Sequence, residues 1–316
     1  MIVTLTPNPS VDRAITVSEL QRGEVHRVSG IRIDAGGKGV NVARAVTAQG
    51  GDALAVLPVG GPEGHLLEEL LDAADVPRRS VDIAGAARMN ISVLEPGGTT
   101  TKFNEPGPTL SPAECSALLD ATVSAASDAT WVVGCGSLPP GLPMDLYAQL
   151  VRRIHDLGGL VAIDSSGEAL AAAVAAVPDL IKPNHEELEE LVGRPLPTLA
   201  DVHRAAVELV SSGIKYVAVS LGGDGALLVT AEETLHARAV ISHPLSTVGA
   251  GDCMLAGLLH GLTHTLPTAE ALCLGVSWGA AAVTLPGSRV PAPEDLRNIR
   301  VELTDEPRLE SAVGHR

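Results

Sequence analysis

Ser246-Thr247-Val248-Gly249-Ala250-Gly251-Asp252 runs directly into the apolar segment Cys253 to Leu262. Gly249 and Gly251 leave the backbone bare on either side of Ala250, so the chain can turn sharply there. Met254, Leu255, Leu258, Leu259 and Leu262 then recur at helical spacing. A glycine turn that feeds a helix N-terminus presents unpaired N–H groups and the positive end of the helix dipole, which suits an anion. Asp252, on the first turn, allows two readings. It is either a helix cap, a position that favours aspartate, or a carboxylate placed for chemistry.

The bulk numbers narrow the second reading. The chain has 316 residues, 45% hydrophobic and 19% charged, enough for one large α/β core with an elaboration. Its formal net charge of -16 argues against a nucleic-acid binder, which would carry a basic footprint. Aromatics make up 2%, too few for a stacking platform. Cys115, Cys135, Cys253 and Cys273 form no C-x-x-C pair, which disfavours zinc and a disulfide framework and suits a reducing cytoplasm. The chain opens on the strand pattern Ile2-Val3-Thr4-Leu5-Thr6 rather than a leader, and no apolar run approaches a membrane span.

Strand-like and helix-like segments alternate along most of the chain, the rhythm of a parallel sheet. Strands are expected at 2–6, 53–59, 131–135, 160–163, 180–182 and 216–221, with helices between them, one of them from Pro112. Most of these strands run into glycine-, serine- or acid-rich turns. In open α/β sheets the ligand crevice lies outside those carboxyl ends, so the active site is expected there. The rhythm breaks in two places. Short β pieces are expected at Ala14–Val17, Val25–Val28 and Ile31–Asp34. Met89, Ile91 and Val93 alternate with Asn90 and Ser92, and a turn at Pro96-Gly97-Gly98 returns the chain through Thr99–Phe103. Together these stretches predict a small separate sheet. The expected division is a core of residues 1–10, 35–87 and 108–316, with a discontinuous β-lid of 11–34 and 88–107. The last dozen residues are polar and expected to fray.

Several residues invite a ligand and also have a plain alternative. In Gly36-Gly37-Lys38-Gly39-Val40-Asn41, three glycines around Lys38 open the backbone to a ligand, and the polar Asn41 opens an apolar helix. The alternative is a flexible turn with a solvated lysine. Arg88 could meet an anion or serve as a charged strand edge that blunts aggregation. Asn184-x-x-Glu187 before Leu188 and Leu191 fits a capping box. There is no Gly-x-x-x-x-Gly-Lys-[Ser/Thr] P-loop, and no Gly-x-Gly-x-x-Gly follows a strand.

Gly249-Ala250-Gly251-Asp252 closely resembles the motif of the PfkB sugar kinases, a branch of the ribokinase-like family. The similarity runs from Asn8-Pro9-Ser10-Val11-Asp12 through Gly36–Asn41 to the final helices. Thr4-Leu5-Thr6-Pro7, Asn90-Ile91-Ser92-Val93, Lys102–Pro108 and Gly136-Ser137-Leu138-Pro139 point to the hexose-phosphate kinases, particularly the 1-phosphofructokinases. The resemblance implies a ribokinase-like three-layer α/β/α core with a mostly parallel central sheet and a small β-sheet lid. It implies Mg·ATP-dependent phosphorylation of a phosphorylated ketohexose, fructose 1-phosphate to fructose 1,6-bisphosphate. The nearest rivals are tagatose-6-phosphate kinase and 6-phosphofructokinase; some of the latter carry glycine where Lys38 stands. A rival of another class is a catalytically dead sugar-phosphate-binding regulator, which retention of Asp252 disfavours.

Residue by residue, the resemblance makes Asp252 the base and Gly249, Ala250 and Gly251 the anion hole for the moving phosphoryl group. Asp12, Gly37, Lys38, Asn41, Arg88 and Ser137 would hold the sugar phosphate. Lys182, Asn184, Glu187, Ser220, Gly222, Gly223, Gly225 and Thr247 would line the nucleotide site, with adenine among aliphatic side chains. Glu187, through water, and Asn184 would serve Mg²⁺. A potassium site near Val248 and Gly287-Ser288-Arg289 occurs in relatives. Cys253 reads as a small helix residue, since in-line transfer needs no thiol. The lid would close over the sugar and pair two subunits into a homodimer.

Overall fold

A computed structural model describes residues 1–96, 99–305, 307, 312 and 313. Fourteen strands and nine α-helices are present among them. The strands are β1 Ile2–Leu5, β2 Ser10–Thr16, β3 Gly30–Gly36, β4 Ala53–Val59, β5 Arg78–Asp82, β6 Arg88–Leu94 and β7 Thr100–Asn104. They continue with β8 Trp131–Cys135, β9 Leu160–Asp164, β10 Leu180–Ile181, β11 Tyr216–Ser220, β12 Ala226–Val229, β13 Thr234–Ala239 and β14 Val301–Thr304. The helices are α1 Lys38–Ala48, α2 Gly61–Ala73, α3 Pro112–Ala125, α4 Leu146–His155, α5 Gly167–Ala175, α6 His185–Val192, α7 Leu199–Ser211, α8 Ala250–Thr263 and α9 Thr268–Val283.

Ten strands form one sheet in the order β14-β13-β12-β11-β10-β9-β8-β1-β4-β5. From β5 to β11 neighbours run parallel, and β12 to β14 extend the sheet antiparallel. The inner parallel strands are apolar on both faces because helices cover both. Successive residues go to opposite sides: Ile2, Val133 and Leu180 face one core with α1, α2, α8 and α9, whereas Val3, Val132 and Ile181 face a second core with α3 to α7. From β1 the chain moves to β4 and β5 on one side, then returns to β8 on the other. The carboxyl ends of β1 and β8 are therefore the switch point at which a crevice opens.

Helices α8 and α9 pack almost backbone to backbone. A Cβ on Gly257 would lie 2.9 Å from the Gly275 Cα, and one on Gly279 would lie 3.0 Å from the Ala250 carbonyl oxygen. Glycine at these positions lets α9 press against α8 and seat its N-terminus.

The other four strands form a separate sheet, β3-β2-β6-β7, drawn from two distant stretches. Its register sorts the side chains by chemistry. Asp12 lies opposite both Asp34 and Asn90 on one face; Arg13 lies opposite Ile33 and Ile91, and Ile91 opposite Phe103, on the other. Val25–Val28, expected as a strand, is loop, and Val25 is 86% exposed. Its apolar residues have no facing strand to pair with. Of the expected turn, Gly97 and Gly98 lie outside the described residues, as does most of the polar C-terminal dozen. Among the described residues no helix is long and apolar enough to cross a membrane.

Candidate active site

The turn before α8 leaves its N-terminus bare. Gly249 is the N-cap residue, with φ 77° and no side-chain cap. Only glycine adopts that backbone without strain. Asp252 does not cap the helix. Its carboxylate is buried and accepts from Asn41 Nδ2 at 2.9 Å, so the capping alternative fails and the first-turn N–H groups keep no side-chain partner. Burial pushes the Asp252 carboxyl up to about 6, helped by the nearby Asp164 charge; Lys38, the Asn41 bond and Lys182 pull the other way.

Asp164, at the carboxyl end of β9, is fully buried and organises the floor of the site. Lys38 Nζ lies 2.8 Å from Asp164 Oδ1 and 3.4 Å from Glu187 Oε1. Lys182 Nζ lies 3.1 Å from Asp164 Oδ2, without the alignment of a hydrogen bond. Burial would push Asp164 up, but Lys182 and Lys38 outweigh it and hold the carboxyl below its ordinary range. Burial likewise opposes the charge on Lys38, yet Asp164, Glu187 and Asp252 hold its ammonium above the ordinary range. Lys38 is thus not a solvated turn residue: it pairs with Asp164 and Glu187, and its side chain stays 34% exposed on the open side of the site. Lys182 lies beneath the glycine turn, where a Cβ on Gly251 would come 3.3 Å from its Nζ.

Asn184 and Glu187 form the capping box of α6. Asn184 Oδ1 accepts from the Glu187 backbone N–H at 2.7 Å, and Glu187 Oε2 accepts from the Asn184 N–H at 2.8 Å. Glu187 Oε1 remains turned to Lys38, so the pair caps a helix and faces the site at once. Ser220 ends β11 beside Asn184, to which it is bridged. Gly222 and Gly223 lie in a short 3₁₀ turn, and Gly225 abuts the Ala237 carbonyl. Thr247 is exposed on the loop before α8.

The acceptor side lies between the switch point and the polar face of the small sheet. Gly37, the N-cap residue of α1, has φ 108°, and a Cβ there would meet Thr6 Cγ2 at 2.8 Å. Asp12 accepts from Ser10 Oγ at 2.7 Å and Asn90 Nδ2 at 3.0 Å, and burial pushes its carboxyl up. Arg88 donates to the Glu105 carbonyl at 2.9 Å and the Asn8 carbonyl at 3.1 Å. It opens β6, an inner strand, so it is not a solvated edge charge. Its Nε, together with Asn8 Oδ1 and Asn90 Oδ1, is buried without a hydrogen-bond partner. Ser137 is exposed and accepts from Asn8 Nδ2 at 3.3 Å, which joins the ends of β1 and β8. Asn41 has both polar atoms engaged, one by Asp252 and the other by Arg44.

Sequence reasoning missed Asp164, Asn8 and Asn90. Asp164 had a signal, a carboxylate at a strand's carboxyl end next to glycine and serine, but nothing in the sequence reveals its lysine partners. Cys253 is buried with its thiol pushed up, chiefly by burial, which removes it as a nucleophile.

A helix N-terminus without a side-chain cap, with lysines and a buried carboxylate close by, suits an anion beside a group that can accept a proton. The family model of the pfkB carbohydrate kinases matches residues 6–295. A 1-phosphofructokinase of Haloferax volcanii is 40% identical over 311 residues, 98% of each chain. A 1-phosphofructokinase of Rhodobacter capsulatus is 38% identical over 297 residues, covering 93% of this chain and 94% of the relative. The crystal structure of phosphofructokinase-2 from Escherichia coli in complex with substrates and products superposes with a TM-score of 0.90 at 37% identity, covering 94% of this chain and 97% of that one. The chain belongs to the pfkB family of carbohydrate kinases.

Proposed function

We propose that this protein transfers the γ-phosphoryl group of ATP to fructose 1-phosphate, giving fructose 1,6-bisphosphate. The observation that carries the transfer is Asp252, a buried carboxylate that leaves the N-terminus of α8 uncapped beside it. Asp252 orients the sugar hydroxyl and takes its proton, late if the transition state is loose. The turn Gly249-Ala250-Gly251 stabilises charge on the moving group through its backbone, and Lys182 and Lys38 add fixed positive charge below it. The choice of sugar rests on the full-length similarity to two 1-phosphofructokinases.

The acceptor would lie on Asp12, Gly37 and Ser137, with the unpartnered Nε of Arg88 as a donor for its phosphate. The nucleotide would lie along Ser220–Gly225, Asn184 and Thr247. Asp164 is buried between Lys38 and Lys182, so Mg²⁺ would be held by Glu187, through water, and Asn184 together with phosphate oxygens, keeping several waters. Bound there, Mg²⁺ would neutralise phosphate charge. Ser246, Val248, Gly287 and Ser288 line one cavity of about 30 Å³ with Asp12 and Asp34. Carbonyl and hydroxyl oxygens of Ser246, Val248, Gly287 and Ser288 would give a monovalent cation such as potassium its donors, with Arg13 lining the same cavity.

The small sheet is two-faced, and this supports its role as a lid. Its polar face carries Asp12, Asn90 and Arg88. On the other face Ile31 and Phe103 are 54% and 56% exposed. A second copy of the chain covering that face would give a homodimer. The chain functions in the cytoplasm on this reading, and neither nucleic acid nor membrane takes part.

The high structural similarity to a phosphofructokinase-2 favours 6-phosphofructokinase as a second reading. ATP consumption measured with fructose 1-phosphate, fructose 6-phosphate, tagatose 6-phosphate and the unphosphorylated sugars tests both. The highest kcat/KM is expected with fructose 1-phosphate. Preference for fructose 6-phosphate would install the second reading, and no turnover with any sugar would leave a binding protein.

A further inference from the structure

Arg44 is one helical turn beyond Asn41 on α1, and its side chain is 10% exposed. Its Nη1 lies 2.8 Å from the Ala35 carbonyl oxygen, 3.1 Å from Asn41 Oδ1 and 3.2 Å from the Ser288 carbonyl oxygen. Its Nη2 lies 3.9 Å from Asp34 Oδ1. One guanidinium therefore joins the end of β3, the turn after α9 and the side chain that touches Asp252. Asp34 Oδ2 also forms an ion pair with Arg32 Nε at 2.7 Å, and Arg32 Nη1 donates to the Pro286 carbonyl at 2.6 Å. The root of the small sheet and the 286–288 turn are thus tied together twice.

A primary amide has an oxygen end and an NH₂ end, and hydrogen-bond partners decide which way round it lies. Asn41 gives its NH₂ to Asp252 and its oxygen to Arg44. Turned over, it would set its oxygen against the carboxylate and its NH₂ against the guanidinium, so both contacts would become repulsive. An ionised Asp252 asks for the same orientation, but a protonated Asp252 could donate to a turned-over amide oxygen; only Arg44, a permanent cation, forces the choice in both states. We propose that Arg44 is a positioning residue for phosphoryl transfer: it holds the Asn41 amide so that its NH₂ faces Asp252, and it links that contact to the root of the small sheet.

This inference rests on the reading of Asp252 as the base. The groups that face Asp252 are Lys38 and Asn41 from α1, Asp164 from the end of β9, Lys182 after β10, Cys135 from β8 and its neighbour Cys253. Those that face Arg44 are Asp34 and Arg32 from β3, Asp12 from β2 and Cys253 from α8. Among the groups that face Asp252, Lys38, Lys182 and the Asn41 hydrogen bond oppose its burial. Without Arg44 the amide can turn over and accept from a protonated Asp252, which stabilises the neutral acid, so the carboxylate gains a proton at higher pH.

The test is the single-turnover rate of phosphoryl transfer against pH, with the sugar phosphate that the substrate screen selects. The unmodified protein should lose rate below about pH 6, where Asp252 protonates. In Arg44→Met that limb should move up by about one to two pH units, the effect of one lost hydrogen bond to a charged group. The rate at pH 7 should fall about two- to tenfold and recover by about pH 9 as the base ionises. Arg44→Lys has one ammonium for three acceptors and should shift the limb less. A folded Arg44→Met whose limb stays in place overturns the inference, even if its stability falls. Where circular dichroism shows Arg44→Met unfolded, an unmoved limb in Arg44→Lys overturns it equally. Asp252→Asn separates the two levels: full turnover there defeats the base reading itself, whereas inactive Asp252→Asn with an unmoved Arg44 limb defeats only the positioning role.

Discussion

Helices α6 and α8 both begin at the carboxyl side of the sheet with an acid in the first turn, and they use it in opposite ways. In α6, Glu187 and Asn184 close a reciprocal box, so that helix satisfies its own end. In α8, Gly249 has no side chain to offer and Asp252 turns aside to Asn41; the Ala250 N–H reaches the Thr247 carbonyl at 3.4 Å, and no side chain caps the first turn. A capped N-terminus is a stable one; an uncapped N-terminus at a switch point is a receptor for an anion. On the proposed function, the stability that α8 forgoes is part of what would let it bind a phosphoryl group.

That contrast can be broken most sharply at Asp252. Asp252→Asn should lower turnover by about 10²–10⁴-fold, the usual scale of a general base. It should also raise Tm at pH 7. The folded carboxyl is raised from 3.8 to about 6, so its contribution to stability is full below the unfolded value and is lost as pH rises through about 6. At pH 7 the buried charge is a cost that the neutral amide removes. Turnover assays with calorimetry check both signs, and a lower Tm would contradict the burial argument.

Glu187→Gln sharpens the comparison from the other helix. The amide oxygen can still accept from the Asn184 N–H, so the cap survives while the charge facing Lys38 is lost. The Mg²⁺ concentration for half-maximal activity should rise about 10–100-fold, the scale for changes around a bound metal. An unchanged requirement would confine Glu187 to capping. The smallest effect is expected from Asn184→Ala, which removes the cap of α6 and should cost about 1 kcal/mol by urea unfolding. A loss of turnover far larger than that of stability would show that Asn184 acts mainly on the nucleotide.

Much of this was legible because the parallel strands are short, apolar and bounded by glycine. Ala53–Val59 and Trp131–Cys135 begin and end where the pattern says. β5 was not legible: Arg-Arg-Ser-Val-Asp is a polar edge strand, formed because β4 offers it a free side. β12 to β14 pair antiparallel beyond β11, a choice made by neighbours rather than local pattern. In the site, the glycine turn and Asp252 announced themselves through spacing. The partners of Lys38 did not, since Asp164 lies 126 positions away and only the sheet brings them together. Nothing in the sequence sets Arg44 apart, because nothing there places the 286–288 turn against it.

The pairing of β2 with β6 has a consequence for how the molecule assembles. Ser10 pairs with Arg88, 78 positions along the chain, and β4, α2 and β5 lie between them. Closing so long a loop is costly before the contacts that reward it exist. The β1–β8 pairing of the main sheet spans more still, 129 positions, but two buried cores reward it, whereas one face of the small sheet stays half-exposed. The small sheet therefore joins late, on a scaffold already built by its neighbours. Run backwards, the same order makes it the first part to detach under mild denaturant, so a partly unfolded population would keep the nucleotide side of its site while losing the side that recognises the sugar.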